Sequence, residues 1–354
     1  MAINTSKFRK NLISWYLENK RELPWRATRE PYLIWLSEII LQQTRVEQGT
    51  PYYFKFIEAF PNVQALANAP QEQVLKLWQG LGYYSRARNL HITAQHITGE
   101  FKGEFPKTYK ELLSLKGVGD YTASAIGSIC FDLPTAVVDG NVYRILSRIY
   151  GISTPINSSA GIKEFKQLAQ KLLDISQSGT FNQATMEFGA RYCVPQNPDC
   201  LHCIFNKDCV AFLSNTVGEL PVKIKKQKIK KRYFNYIVIV SADKKTILNQ
   251  RTGKGIWQQL YEFPLVESAS EISENQLINT DDYVSLSKIH GITELVLYND
   301  VQVVHKLSHQ HLYTKFWIGY SNNLNNNGIK ISEVQDFAVP VLVSNFISSF
   351  PEFK

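Results

Sequence analysis

The chain has 354 residues, 44% hydrophobic and 20% charged. That is enough for two folded domains and too apolar for wholesale disorder. No apolar run reaches the roughly 18 residues of a membrane span, and Met1–Trp15 lacks the apolar stretch of a secretory leader, so residence in the cytoplasm is expected. A formal charge of +8 permits an anionic partner such as nucleic acid, and five cysteines, four of them in one window, suit a metal centre better than a disulfide framework.

Up to about residue 215 the pattern is helical. Apolar residues at helical spacing predict helices over Tyr32–Gln48, Gln71–Leu81, Thr108–Leu115, Tyr121–Cys130, Asn141–Tyr150 and Gly161–Ser176. Pro31 suits a first helical position, Thr108 with Glu111 reads as a capping box, and Gly151 as a stop. The first of these helices is apolar in nearly every direction and carries Glu38. A carboxyl there is under desolvation pressure, which raises its pKa, although Gln42 and Arg45 also allow a wet stripe with a satisfied ion pair.

Between two predicted helices lies Leu115-Lys-Gly-Val-Gly-Asp-Tyr-Thr-Ala123. Gly117 and Gly119 allow either a plain turn or a tight hairpin whose amides face a phosphate. Asp139, in Val137-Val-Asp-Gly-Asn-Val142, reads as a helix N-cap whose amide partners hold it ionised. Cys193, Cys200, Cys203 and Cys209 have the spacing C-x6-C-x2-C-x5-C, suited to zinc or to a [4Fe–4S] cluster. Cys130, among apolar neighbours, reads as a buried core thiol.

Pro221–Arg232 is dense in lysine and admits two readings, a solvated linker or a strap along a phosphate backbone. Beyond it the texture turns to β over Tyr233–Ser241, Thr246–Gln250, Val301–Leu307 and Leu312–Tyr320, with a turn at Asn322–Gly328 and a closing helix over Val339–Ser349. His305, His309 and His311 alternate as on one strand face, but with no fourth ligand nearby no metal is assigned to them. No internal repeat is present.

The cysteine spacing at the end of an α-domain resembles the cluster loop of the endonuclease III superfamily of DNA glycosylases, and Leu115–Ala123 resembles its helix-hairpin-helix. Four stretches narrow the resemblance to the MutY-type adenine DNA glycosylases: Leu23-Pro-Trp-Arg26, Ser37-Glu-x-x-Leu-Gln-Gln-Thr44, Gly80-Leu-Gly-Tyr-Tyr-Ser-Arg-Ala-Arg88 and Val138-Asp-Gly-Asn-Val142. Gly255-Ile-Trp-Gln-Gln-Leu-Tyr-Glu-Phe-Pro264 resembles the MutT-like (Nudix-fold) domain of that family. The resemblance implies an all-α helix-hairpin-helix glycosylase domain with a [4Fe–4S] cluster loop (1–215), a basic linker (216–232) and an α+β Nudix-like lesion-recognition domain (233–354).

It further implies a monomeric, nucleoid-associated bacterial repair enzyme that removes adenine mispaired with 8-oxoguanine, or with guanine, from double-stranded DNA. Glu38 matches the acid that protonates adenine N7. Asp139 matches the carboxylate facing the sugar C1′, and Tyr121 and Asn141 the groups supporting it by hydrogen bonding. Tyr121 stands where bifunctional relatives carry a lysine nucleophile, which implies a monofunctional enzyme. Arg26 matches a residue lining the adenine pocket, and Leu41, Gln43 and Tyr83 positions that fill the gap around the extruded base. Gly117 and Gly119 match the hairpin that grips DNA backbone.

Leu307, Ser308 and His309 fall where the family has Phe-Ser-His against the lesion strand, so an aromatic ring is lost there. Gln183 stands where some members have glutamate. The segment after Pro264 lacks the glutamate-rich Nudix pattern, so nucleotide hydrolysis is not expected. The competing readings are another base specificity on this scaffold and a non-catalytic iron–sulfur nucleic-acid-binding protein.

Overall fold

A computed structural model describes residues 3–224, 229–324 and 328–353. The chain divides into two compact units. One comprises Met1–Asn68 with Asn89–Lys225, the other Ala69–Arg88 with Lys226–Lys354. The stretch Ala69–Arg88, N-terminal in sequence, therefore packs with the second unit, unlike the simple division of the chain at 215 and 233.

The first unit is helical. In chain order its elements are α1 (Thr5–Asn19), α2 (Pro31–Leu41), α3 (Val46–Ala59) and α4 (Val63–Asn68). After α5 (Gln71–Leu77), which belongs to the second unit, come α6 (Ser85–Glu100), whose first four residues also belong to the second unit, α7 (Tyr109–Ser114), α8 (Asp120–Phe131), α9 (Gly140–Tyr150), α10 (Ser159–Leu172), α11 (Ser178–Arg191) and α12 (Val210–Leu213). Local chemistry sets several boundaries. Pro31 opens α2, and the Asp139 side chain caps α9. Gly151 ends α9 at φ 67, where a Cβ would also meet Val210 Cγ1 at 2.5 Å. At α7 the Thr108 hydroxyl accepts from Glu111 N at 3.3 Å but donates to the Glu111 carboxylate at 2.6 Å, so only half of the expected capping box forms.

The helix expected over Tyr32–Gln48 is in fact two. The chain leaves the α-helix after Leu41, Gln43 adopts φ 56, and α3 restarts at Val46. At the break α3 lies so close to the end of α2 that a Cβ on Gly49 would meet Leu41 Cδ2 at 2.8 Å.

The second unit holds β1 (Lys230–Ser241), β2 (Lys245–Thr246), β3 (Asn249–Gln250), β4 (Tyr261–Glu262), β5 (Leu265–Ser268), α13 (Glu274–Ile278) and α14 (Asp281–His290). Then follow β6 (Ile292–Leu297), β7 (Val303–Lys306), β8 (Gln310–Ser321), β9 (Ile329–Lys330) and α15 (Val341–Ser349). The main sheet has the order β5-β1-β8-β6, with β7 also pairing β8; β1 and β8 run parallel and the other pairs antiparallel.

Strand alternation sorts side chains to two faces. Ile237, Ile239 and Trp317 pack with Leu277 of α13 and Tyr283 of α14 on one side. On the other, Tyr236 stacks on Phe316 at 5.4 Å between ring centroids, and Phe316 on Phe346 of α15 at 4.3 Å. The result is a sheet between two helical layers.

Two expectations change here. His305 lies on β7 and His311 on β8 with His309 in the turn, so the three histidines do not share one strand face. Lys230–Arg232 belong to β1, and Val222 and Ile224 hydrogen-bond to Ile156 and Asn157 of the helical unit. Of the basic stretch, 225–228 lie outside the described residues, as do 325–327 of the Asn-rich turn.

Candidate active site

Glu38, Asp139, Tyr121, Asn141, Arg26 and Leu41 come from four separate stretches of sequence, yet all line one cavity of about 210 Å³ in the helical unit. Glu38 projects from α2, whose Ile34, Trp35, Leu36, Ile39 and Ile40 are buried on every side. Part of Glu38 faces the cavity and the rest is crowded by protein. Desolvation pushes its carboxyl up to about 7; the nearby Asp139 charge adds to this, while a hydrogen bond with Tyr121 and the charge of Arg26 oppose it.

Asp139 is held differently. As the N-cap of α9, its Oδ1 accepts from the backbone N–H of Asn141 at 2.9 Å and of Val142 at 2.8 Å, and its Oδ2 accepts from Asn141 Nδ2 at 2.8 Å. All three donors favour the carboxylate form. Burial nonetheless moves its pKa upward overall, against the lowering effect of these bonds and of Arg144. Tyr121, in the first turn of α8, has its phenol raised well above the usual range by burial and by the Glu38 and Asp139 carboxylates, so it serves as a neutral donor. Its hydroxyl also reaches Met186 Sδ at 3.2 Å.

Helix α11 supplies a residue that sequence reasoning missed. Glu187 is fully enclosed and accepts from Arg21 Nη2 at 2.7 Å and from Arg26 Nη2 at 2.8 Å. These bonds hold its carboxyl down at about 2 against the burial that would raise it. The pair explains Arg26: its guanidinium is pinned at the cavity wall, 5.6 Å from the Tyr16 ring centroid. Tyr16 in turn donates to Gln183 Oε1 at 3.1 Å. The helices predicted from sequence do not reach Glu187, and its neighbours at helical spacing, Gln183, Ala184, Ala190 and Arg191, do not mark it as buried.

Removing the carboxylate strands two arginines. Glu187→Ala should lower stability by about 2–3 kcal/mol, somewhat less than a wholly buried pair because Arg21 is part-exposed. Since the folded pKa is depressed, that contribution is present above the ordinary glutamate range and is lost only as the pH falls toward 2. Urea unfolding at pH 7 measures it, and an unchanged midpoint would contradict it.

The cysteine loop is tied to the same helix as Asp139. Arg144 donates to Asn141 Oδ1 at 2.9 Å and to Cys193 O at 2.7 Å, and Arg148 to Val194 O at 2.8 Å with Cys193 Sγ at 3.5 Å. Cys193, Cys200, Cys203 and Cys209 all line one small apolar cavity together with Ile149, Phe188 and Phe212. Among the described residues no three His, Cys, Asp or Glu side chains are arranged around a point that would hold a single ion. Four thiols lining one cavity are a donor set suited to a [4Fe–4S] cluster or to zinc.

The hairpin closes through Val118 N to Leu115 O at 3.1 Å. Gly117 is needed there twice, for its φ of 79 and because a Cβ would meet Asn89 at 2.8 Å. Gly119 precedes α8 with no side-chain cap, and both glycines are exposed. Gln43 is exposed in the α2–α3 turn and is not among the cavity residues.

Tyr83, Leu307, Ser308 and His309 lie in the second unit and line a cavity of about 340 Å³ with Arg88, Ile256 and Trp257. Ser308 Oγ and the Tyr83 hydroxyl are 2.5 Å apart. Leu307 N donates to Gln310 O at 2.9 Å, which closes the tight turn between β7 and β8 that carries Ser308 and His309.

Residues 36–176 match the model of the HhH-GPD superfamily of base excision DNA repair proteins, and residues 235–349 that of the NUDIX domain. The adenine DNA glycosylase of Buchnera aphidicola subsp. Baizongia pistaciae is 33% identical over 362 residues, covering 99% of both chains. The chain belongs to the adenine DNA glycosylase family. As a member, it is an enzyme of the DNA glycosylase class, which hydrolyses N-glycosyl bonds. The mouse adenine DNA glycosylase is 44% identical over 226 residues, 61% of this chain and 44% of that one. Among solved structures, a thermostable thymine-DNA glycosylase aligns with a TM-score of 0.56 at 29% identity, over 59% of this chain and 97% of the other. Among the described residues no helix of this family member is long and apolar enough to cross a membrane.

Proposed function

We propose that this glycosylase excises adenine mispaired with 8-oxoguanine, and with guanine, from double-stranded DNA. The observation that carries the reading is the pairing in one cavity of two carboxyls with different surroundings, Glu38 driven toward its acid form and Asp139 surrounded by donors to its anion.

The extruded adenine enters the cavity beside Arg26 and Leu41. Glu38 gives its proton to adenine N7, and the C1′–N9 electron pair leaves with the base. The positive charge left on the sugar is met by the Asp139 carboxylate, either across a contact or as a short-lived covalent bond at C1′. Water adds to C1′ and its proton returns to Glu38. Asn141 orients Asp139, and Tyr121 hydrogen-bonds to Glu38. Among the described residues no lysine lines the cavity, so no amine attacks C1′ and the strand is left uncut.

Gly117 and Gly119 hold backbone phosphate without reading sequence. Gln43 and Tyr83 fill the gap left by the extruded base. Ser308 and His309 donate to the modified guanine, with Leu307 as an apolar neighbour in place of a stacking ring. The enzyme acts as a monomer.

The four cysteines hold a [4Fe–4S] cluster, which shapes the loop between α11 and α12. Iron and acid-labile sulfide should each approach four per chain, and Cys203→Ser should lower both; stoichiometric zinc instead would overturn this part.

If Ser308 reads the lesion by one hydrogen bond, Ser308→Ala should narrow the rate preference for adenine opposite 8-oxoguanine over adenine opposite guanine by about tenfold. Single-turnover rates on the two duplexes test this, and an unchanged preference would move lesion reading away from Ser308.

A further inference from the structure

We infer that Arg86 is a positioning residue for Tyr83, holding its ring ready to enter the base stack; this rests on the reading of Tyr83 as the gap-filling residue. Tyr83 adopts φ 47, following Gly80 at φ 100 and Gly82 at φ 72. A bulky residue in the left-handed region is strained and persists only where its surroundings fix it. The residue is nonetheless 47% exposed, so ordinary core packing does not do so.

Arg86 does. Its Nη2 donates to Leu81 O and to Gly82 O, both at 3.3 Å, which ties down the two residues before Tyr83. Gly82 O also accepts from Trp78 Nε1 at 3.0 Å. The guanidinium lies 5.0 Å from the Trp78 ring centroid and 5.7 Å from that of Tyr83, so a buried indole, a cation and an exposed phenol sit in sequence. Burial lowers the Arg86 pKa to about 10, which still leaves it charged at neutral pH. The Ser308 contact holds the hydroxyl end of the same ring. A planar guanidinium can face two rings while one of its nitrogens reaches both carbonyls; a lysine ammonium has no plane to lay against the rings.

The test is a double-mutant cycle in the full-length protein. It uses a duplex carrying 8-oxoguanine opposite a 2′-fluoro-adenosine that resists cleavage, with Kd read by fluorescence anisotropy. Tyr83→Ala should weaken binding about tenfold, the scale of one base–aromatic stack. Arg86→Lys, and Arg86→Met as a second variant that keeps the buried stem, should each do nearly as much. Combined with Tyr83→Ala, either should cost less than a further twofold. The salt dependence of Kd should keep its slope in Arg86→Met, because Arg86 acts on Tyr83 and not on a phosphate.

A further tenfold loss in the double variant, or a slope reduced by about one, would overturn the inference while leaving Tyr83 as the gap filler. If Tyr83→Ala alone leaves Kd unchanged, the gap-filling reading itself fails.

Discussion

Glu38→Gln should slow adenine excision under single-turnover conditions by roughly 10²–10⁴-fold, the span that general acid catalysis contributes. Glutamine keeps the shape of the side chain but has no proton to give, so duplex binding should change little. The pH profile supplies an independent check. With the Glu38 carboxyl pushed up to about 7 from its ordinary 4.5, the parent rate should hold below about pH 7 and fall about tenfold per pH unit above it. Glu38→Gln should lose that limb.

Stability carries the same signature. A carboxyl whose folded pKa is raised contributes stability that is fully present below about 4.5 and is lost as the pH rises through about 7. At pH 8 the parent has lost that contribution, so Glu38→Gln should melt no lower than the parent. A variant that retains the parent's rate and its alkaline limb would move the acid to another residue.

Asp139→Asn should have the second large effect, a loss of roughly 10²–10³-fold in the same assay, as when one preorganised electrostatic partner of a transition state is removed. This substitution separates chemistry from folding unusually well. An asparagine Oδ1 can still accept from Asn141 N and Val142 N, so the cap of α9 survives and stability should fall by no more than about 1 kcal/mol. What disappears is the charge, and the Asn141 Nδ2 that donated to Oδ2 now meets a second amide donor. Urea unfolding beside the excision rate distinguishes the two. A well-folded Asp139→Asn protein within tenfold of the parent rate would mean that Asp139 is a structural cap alone. Combining it with Glu38→Gln should cost far less than the product of the two losses, because both groups serve one bond-breaking step.

Several of these features could be read from local sequence because local chemistry determines them. The N-cap at Asp139, the stop at Gly151 and the apolar surround of Glu38 each depend on residues within a turn or two. The cysteine spacing placed four thiols at one cavity because a 17-residue loop leaves them little freedom. What escaped was decided by partners far away in the chain. The break after Leu41 is the exception, a local turn at Gln43 with φ 56 beside which α3 packs closely on α2 at Gly49.

Glu187 gained its meaning only when Arg21 and Arg26, more than 160 positions away, closed on it. Nothing in its glycine-rich stretch singles out Arg86, on which two aromatic rings and two carbonyls converge in the fold. The histidines erred in the other direction. Their alternation suggested one strand, but the chain turns at His309 and puts His305 and His311 on neighbouring strands.

The central claim, two carboxyls cleaving the adenine N-glycosyl bond with no amine nucleophile, is tested most directly by one reaction. A duplex with a single adenine opposite 8-oxoguanine, labelled on the adenine strand, is incubated with excess enzyme and quenched with and without hot alkali, beside a G·T duplex. The account predicts strand breaks only after alkali, at the adenine position alone, and none on the G·T duplex. Breaks without alkali would reveal an amine nucleophile and contradict the role given to Tyr121. No breaks under either quench, from protein that binds the duplex, would leave a nucleic-acid-binding protein in place of the enzyme.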